Sequence, residues 1–216
     1  FIGTELVAYL SKSHQVRVLG RDQKRLERQF PEIKTLTWDT LDTADATVFD
    51  LVINLSGSNI GAKRWNPAIK NELIQSRTQT NERLIDWICR QNAKPRYFSA
   101  SAVGIYGAEA QSPVEQNEQT PISEHSDDFL QHIGIAWEHS LKKAINTGIP
   151  VTMLRFGVVL KKGQGMLKKI ELPYQLGLGS ILGSGEQYLS WVHYEDLVQA
   201  VAFLIEHPNI TGPINI

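Results

Sequence analysis

The chain is 216 residues long, 42% hydrophobic and 21% charged, with a formal net charge of -1. That is enough for one sizeable core with a small additional lobe, and a balanced composition without a basic block argues against nucleic acid as a partner. No apolar run approaches the roughly 20 residues of a membrane helix, which argues against a membrane partner; the single cysteine, Cys89, excludes an internal disulfide and is compatible with a reduced, cytoplasmic setting.

The opening FIGTELVAYL reads as a helix, because Ile2, Leu6 and Leu10 recur every four residues with Val7 beside them. QVRVLG (15–20) reads as a short strand, DQKRLERQF as a short helix ended by Pro31, and KTLTW (34–38) as a second strand. DLVINLSG (50–57) is the clearest strand: Leu51 to Leu55 is apolar except for Asn54, as in a parallel sheet covered on both faces. Ile69, Leu73, Thr80, Leu84 and Ile88 share one face of a helix starting near Pro67. RYFSAS (96–101) is a strand, residues 108–128 a polar, acidic loop, and 129–145 a helix. PVTMLRFGVVL (150–160) is a strand broken by KKGQG; residues 166–190 are loop-rich with room for a helix; 194–208 is an amphipathic helix; GPINI (212–216) starts another strand. The histidines, His14, His125, His132, His139, His193 and His207, are scattered without metal-ligand spacing, so no metal site is expected.

Strands alternating with helices predict an α/β fold around a doubly wound parallel sheet, with the ligand crevice beyond the C-terminal strand ends. Gly3 stands where a dinucleotide fingerprint places its last glycine, but no strand precedes its helix. The expectation is therefore that the natural chain starts earlier.

Four stretches together carry a resemblance: FIG (1–3), VINLSGSNIGAKRW (52–65), SASAVGIYG (99–107), and LRFGVVL (154–160) with SGEQYLSWVHYEDL (184–197). The chain resembles the extended short-chain dehydrogenase/reductase superfamily, and more closely its atypical, nucleotide-sugar epimerase-like branch of NAD-dependent epimerase/dehydratase-like proteins. The resemblance implies a Rossmann-type domain over 1–160 and 194–216. It also implies part of a small substrate lobe over 161–193, and a first strand and C-terminal part that this chain lacks.

It further implies that Ile2 and Gly3 lie under the diphosphate of a nicotinamide dinucleotide, at amides that favour negative charge. Arg21, followed by Lys24 and Arg25, stands where NAD-binding proteins carry an acid; guanidinium donors there favour the 2'-phosphate of NADP. NAD remains the alternative, since Asp22 is close and the segment also reads as a solvated basic turn. Asp39 falls near the adenine edge, or is a surface aspartate or helix cap. Asn54, Leu55, Ser56 and Gly57 end a strand beside the cofactor. Lys63, Arg64 and Trp65 face an anionic or planar substrate, or are exposed charge beside a helix start. Ser101, with Ser99 second, is the candidate to hold a substrate oxygen, against simple turn capping. Arg155 and Gly157 lie on the nicotinamide side, and Gln187, Ser190, Trp191 and His193 on the substrate side; Asp196 reads as a first-turn acid.

The active members use a Tyr with a Lys four residues on, the lysine lowering the tyrosine pKa. In DDFLQHIGIAWEHSLKKA there is no tyrosine; aligning Glu138 with the glutamate that follows the motif puts Leu130 and Gly134 at those positions. Three readings stay open: binding without chemistry, another acid (His132, His193 or Tyr106), or a substrate needing little proton assistance. The expectation is an NADP-binding oxidoreductase or epimerase-like protein acting on a small-molecule substrate, a sugar derivative among the options. The alternative is a catalytically silent dinucleotide-binding or interaction protein. A homodimer through the two long helices is an option by analogy.

Overall fold

A computed structural model describes residues 1–107, 115–123, 127–181 and 184–216. Helix α1 (Ile2–Leu10) leads to β1 (Arg17–Gly20), α2 (Gln23–Gln29), β2 (Lys34–Thr37) and β3 (Leu51–Asn54). Then come α3 (Pro67–Arg90), β4 (Arg96–Ala102), α4 (Phe129–His139), α5 (Lys142–Asn146) and β5 (Val151–Phe156). The chain continues through β6 (Val158–Leu160), α6 (Gly165–Gln175), β7 (Trp191–His193), α7 (Tyr194–Glu206) and β8 (Gly212–Asn215). The helix starts follow capping chemistry. Asp22 accepts from the Arg25 N–H at 3.1 Å, and Asn66 accepts from the Ile69 N–H at 2.9 Å with Pro67 opening the helix.

All described strand pairs are parallel: β1 with β2, β3-β4-β5-β8 as a four-stranded sheet, and β6 with β7. Adjacent residues on β4 point to opposite faces. Phe98 joins a core made with Leu6 and Leu10 of α1 and Leu197, Val201 and Leu204 of α7. Tyr97 joins the opposite core, with Leu84, Ile85 and Ile88 of α3 and Ala144 of α5. Helices therefore cover both faces of the sheet, which is why Leu51 to Ile53 are uninterruptedly apolar.

The observed elements differ from the expected ones in places where tertiary partners intervene. The helix expected over 129–145 is divided at Ser140, whose hydroxyl donates to the Trp137 carbonyl and accepts from Asn81 Nδ2 at 2.9 Å. The strand expected over 150–160 is divided at Gly157, where Val158 N–H turns to the Ser190 carbonyl at 2.8 Å and β6 leaves for β7. A Cβ on Gly157 would stand 3.0 Å from that carbonyl oxygen. Strand β7 was not anticipated: its three residues fall between the loop-rich stretch 166–190 and the helix expected from 194. Of the expected acidic loop, residues 108–114 and 124–126 lie outside the described residues.

Candidate functional site

Register builds the site. Ser101 of β4 stands opposite Arg155 of β5, and Arg155 opposite Asn215 of β8, so one row crosses the C-terminal tips of three strands. Glu138 of α4 reaches into the row. Its Oε1 accepts from Ser101 Oγ and Arg155 Nε, both at 2.8 Å, and its Oε2 from Arg155 Nη2 at 2.8 Å. Arg155 Nη1 donates to the Tyr106 hydroxyl at 2.8 Å, and that hydroxyl donates to Asn215 Oδ1 at 2.8 Å. Burial alone would lower the Arg155 guanidinium; the Glu138 carboxylate and the Tyr106 oxygen outweigh it and hold the guanidinium above the ordinary arginine range. Ser101 and Arg155 are buried, whereas Tyr106 and Asn215 keep partial access to solvent.

Glu118 closes the row from outside by accepting the Asn215 N–H at 2.8 Å. That bond first, with help from the nearby Arg155 charge, holds its carboxyl below the usual carboxylate range. A depressed pKa contributes stability that is complete above the ordinary glutamate range and drains away as pH falls through the lowered value. Glu118→Gln is accordingly expected to flatten the acid limb of the stability curve, checked by urea unfolding at neutral pH and at about pH 3.

Behind the row lies a second network, centred on Asn81 of α3. Asn54 Nδ2 donates to Asn81 Oδ1 at 2.6 Å, Tyr97 OH to the same oxygen at 2.8 Å, and Asn81 Nδ2 to Ser99 Oγ at 3.2 Å. Asn54 is satisfied, as its burial requires, and its Oδ1 also fixes the Ser56 N–H at 3.0 Å. Ser99 has no exposed surface and lies in this wall rather than in the open crevice.

The start of α1 lies beside the tip of β3: a Cβ on Gly3 would be 3.7 Å from Leu55 Cδ1, an ordinary contact. The turn after β3 is tightly held. The Ser58 N–H donates to Ser76 Oγ at 2.9 Å, and Arg77 Nη2 donates to the Ser58 carbonyl at 3.1 Å. Gly57 keeps this turn close to Arg77: a Cβ would stand 3.1 Å from Arg77 Cζ, so that side chain would have to give by a few tenths of an ångström. Arg21, at the tip of β1, is exposed, as is Asp39 after β2. A helix start beside the β3 tip, a glycine in the turn after β3, and the exposed Arg21 after β1 together fit a dinucleotide.

All 216 residues match the model of the NAD dependent epimerase/dehydratase family. The chain belongs to that family. It is 33% identical to an epimerase family protein of Staphylococcus haemolyticus over 99% of this chain and 70% of that protein. It is 34% identical to one of Mycobacterium bovis over 100% of this chain and 69% of that protein. A crystal structure of the human epimerase family protein SDR39U1 with NADPH matches with a TM-score of 0.82 at 28% identity, over 100% of this chain and 70% of that one. UDP-glucuronic acid 4-epimerase from Bacillus cereus, with UDP-glucuronic acid and NAD, shares the fold at a TM-score of 0.75 and 19% identity, over 100% of this chain and 74% of that one.

Of the two positions that the resemblance aligns with the usual Tyr and Lys, Leu130 is exposed, whereas Gly134 is pressed against the turn Val103–Tyr106, where its Cβ would stand 2.8 Å from Ile105 Cβ. On the expected substrate side, Lys63 pairs with Glu72 at 3.3 Å, Trp65 packs edge-on against Phe129 at 5.0 Å, and Arg64 is exposed. Lys169 Nζ of α6 donates to the Gly61 carbonyl at 2.9 Å, which ties this loop to the 161–193 segment. Gln187 and Trp191 are exposed there, while His193 faces Glu195 at 3.8 Å and its ring packs on Tyr194; His132 is exposed on α4. A cavity of about 400 Å³ lined by Phe49, Asp50, Lys94 and Arg96 opens at the other end of the sheet, away from these tips. Asn81, Arg77, Asn215 and Glu118 were not singled out from sequence as site residues. The signal for the first two was present: positions 77 and 81 continue the inward stripe from Leu73 in steps of four.

Proposed function

We propose that this chain binds a nicotinamide dinucleotide across the tips of β1, β3 and β4 and is an atypical short-chain oxidoreductase or epimerase-like protein acting on a small molecule. The observation that carries the reading is the convergence of the α1 start, the Gly57 turn and the Ser101–Arg155–Asn215 row at one end of a parallel sheet. The NADPH in the human relative supports it.

When bound, the dinucleotide supplies a hydride donor or acceptor. Ile2 and Gly3 would hold its diphosphate, Leu55, Ser56 and Gly57 its flank, and Arg155 and Gly157 its nicotinamide side. Arg21 favours NADP over NAD. Tyr106, the partly exposed phenol of the row, is the candidate to exchange a proton with a substrate oxygen. Ser101 has its own proton held by Glu138 and so offers lone pairs to a substrate hydroxyl. Lys63, Arg64, Trp65, Gln187, Trp191 and His193 would face the substrate, with sugar derivatives among the options.

Titration with NADPH, followed by nicotinamide fluorescence, tests the binding; no response to NADPH or NADH would sink it. Arg21→Ser is expected to weaken NADPH about 10–100-fold, the worth of a charge-assisted phosphate contact, and to leave NADH unchanged. A screen of carbonyl and sugar-nucleotide substrates then tests chemistry, with Tyr106→Phe expected to lower any turnover by roughly 10²–10⁴. Binding without turnover favours the second reading, a catalytically silent dinucleotide-binding protein, which the closed Gly134 position supports.

A further inference from the structure

The cavity at the far end of the sheet, about 400 Å³ in volume, lies between residues 47–50, which lead into β3, and residues 92–96, which lead into β4. Its size suits a small molecule. Its walls are cross-linked. Gln91 Oε1 accepts the Ala46 N–H at 2.8 Å and its Nε2 donates to the Ala44 carbonyl at 3.0 Å, which Trp87 Nε1 also reaches at 3.0 Å. The Arg96 N–H donates to the Asp50 carbonyl at 2.9 Å, and Asp45 accepts from the Thr47 N–H at 2.8 Å and from the Thr47 hydroxyl at 2.6 Å. Loops held in this way are in place before a ligand arrives, so little binding energy goes into ordering them.

The charged side chains on these walls are, by contrast, unmatched. Among the described residues, neither the Lys94 ammonium nor the Asp50 carboxylate makes a side-chain hydrogen bond or an ion pair, with each other or with a neighbour. Arg96 is already engaged: its Nη1 donates to the Ile205 carbonyl at 2.8 Å and its Nη2 to the Leu204 carbonyl, closing the last turn of α7. Asn92 follows α3 with a φ of 52°, a position that glycine most often fills, and asparagine keeps a carboxamide in the cavity wall there. Phe49 adds apolar surface, its ring held edge-on by Trp87 at 5.7 Å and by the Arg17 guanidinium at 5.1 Å. A simple anion drawn to Lys94 would be repelled by Asp50, and a simple cation drawn to Asp50 would be repelled by Lys94; a molecule that carries both signs satisfies both. We infer that this cavity binds a small zwitterion, an α-amino acid, with its carboxylate on Lys94 and Asn92 and its ammonium on Asp50. The site is independent of the dinucleotide reading, because β3 and β4 begin here and end at the crevice.

The test titrates the isotope-labelled whole chain with each of the common L-α-amino acids and follows the backbone amide resonances. At least one is expected to bind with a Kd on the order of 1 mM or below, moving amides within 47–50 and 92–96 in a saturable way. N-acetylation, which removes the ammonium, and decarboxylation to the corresponding amine are each expected to weaken that amino acid roughly tenfold or more, as the loss of a charge-assisted contact does. Lys94→Met is expected to stop distinguishing the amino acid from its amine, and Asp50→Asn to stop distinguishing it from its N-acetyl derivative. Both side chains are exposed, so neither variant should lose the fold, which the melting temperature checks. No saturable shift with any of the amino acids, the behaviour of two solvated surface charges, overturns the inference. Unchanged affinity in both variants overturns it as well. Acetate binding as tightly as the amino acid would make this a site for simple anions and would equally remove the zwitterion.

Discussion

Glu138→Ala is expected to destabilise the protein by about 3–5 kcal/mol, because it strands a buried guanidinium. The Arg155 side chain is 5% exposed and that of Glu138 is 11% exposed, so solvent cannot replace the lost carboxylate without opening the sheet end. Both carboxylate oxygens are engaged, and Ser101 loses its acceptor in the same step. For a chain of this size the change corresponds to a fall in Tm on the order of 10 °C. Removing both charges is a different matter, since the double variant Glu138→Leu with Arg155→Met leaves no uncompensated group. It is expected to recover to within about 1 kcal/mol of the starting protein. Urea unfolding of the two single variants and the double variant measures the coupling directly. If Glu138→Ala proves as stable as the parent, or the double variant is no better than the single, the row at the strand tips is not held together by this pair.

That row also shows how far sequence could reach. The strands at 17–20, 34–37, 51–54 and 96–102 were visible because short apolar runs bounded by turn residues have few other solutions. Ser101, Tyr106 and Arg155 were singled out through the family resemblance, which puts them at strand ends by the cleft. Their mutual arrangement was not legible, because it depends on β4–β5–β8 register and on a helix crossing beside it. Glu138 entered the sequence reading only as a landmark for a missing tyrosine, although it is the residue that joins Ser101 to Arg155. Arg77 and Asn81 occupy an apolar stripe, where local pattern flags an anomaly but cannot say what satisfies it. The breaks at Ser140 and Gly157 have the same origin: each is set by a partner distant in sequence, Asn81 in one case and the Ser190 backbone in the other.

In an open helix, replacing a glycine by alanine gains about 1 kcal/mol of helix propensity. At Gly134 the sign is expected to reverse, with Gly134→Ala costing about 1–3 kcal/mol net in urea unfolding, as overpacked sites do. The new Cβ would stand 2.8 Å from Ile105 Cβ and 3.1 Å from Ile105 Cα, and a backbone atom cannot move aside as a side-chain tip can. Lysine here must displace the whole turn Val103–Tyr106, which also carries the phenol that Arg155 and Asn215 hold. The double variant Leu130→Tyr with Gly134→Lys therefore should not reconstruct the usual pair: it is expected to be less stable than Gly134→Ala and to gain no NADPH-dependent turnover. A stable double variant with new turnover would show that α4 can stand off from the turn, and that the proton chemistry was never displaced to the strand tips. Close packing of α4 on that turn and a functioning Lys at 134 exclude each other, so any acid–base work in this chain has to come from groups such as Tyr106 that the packing itself fixes in place.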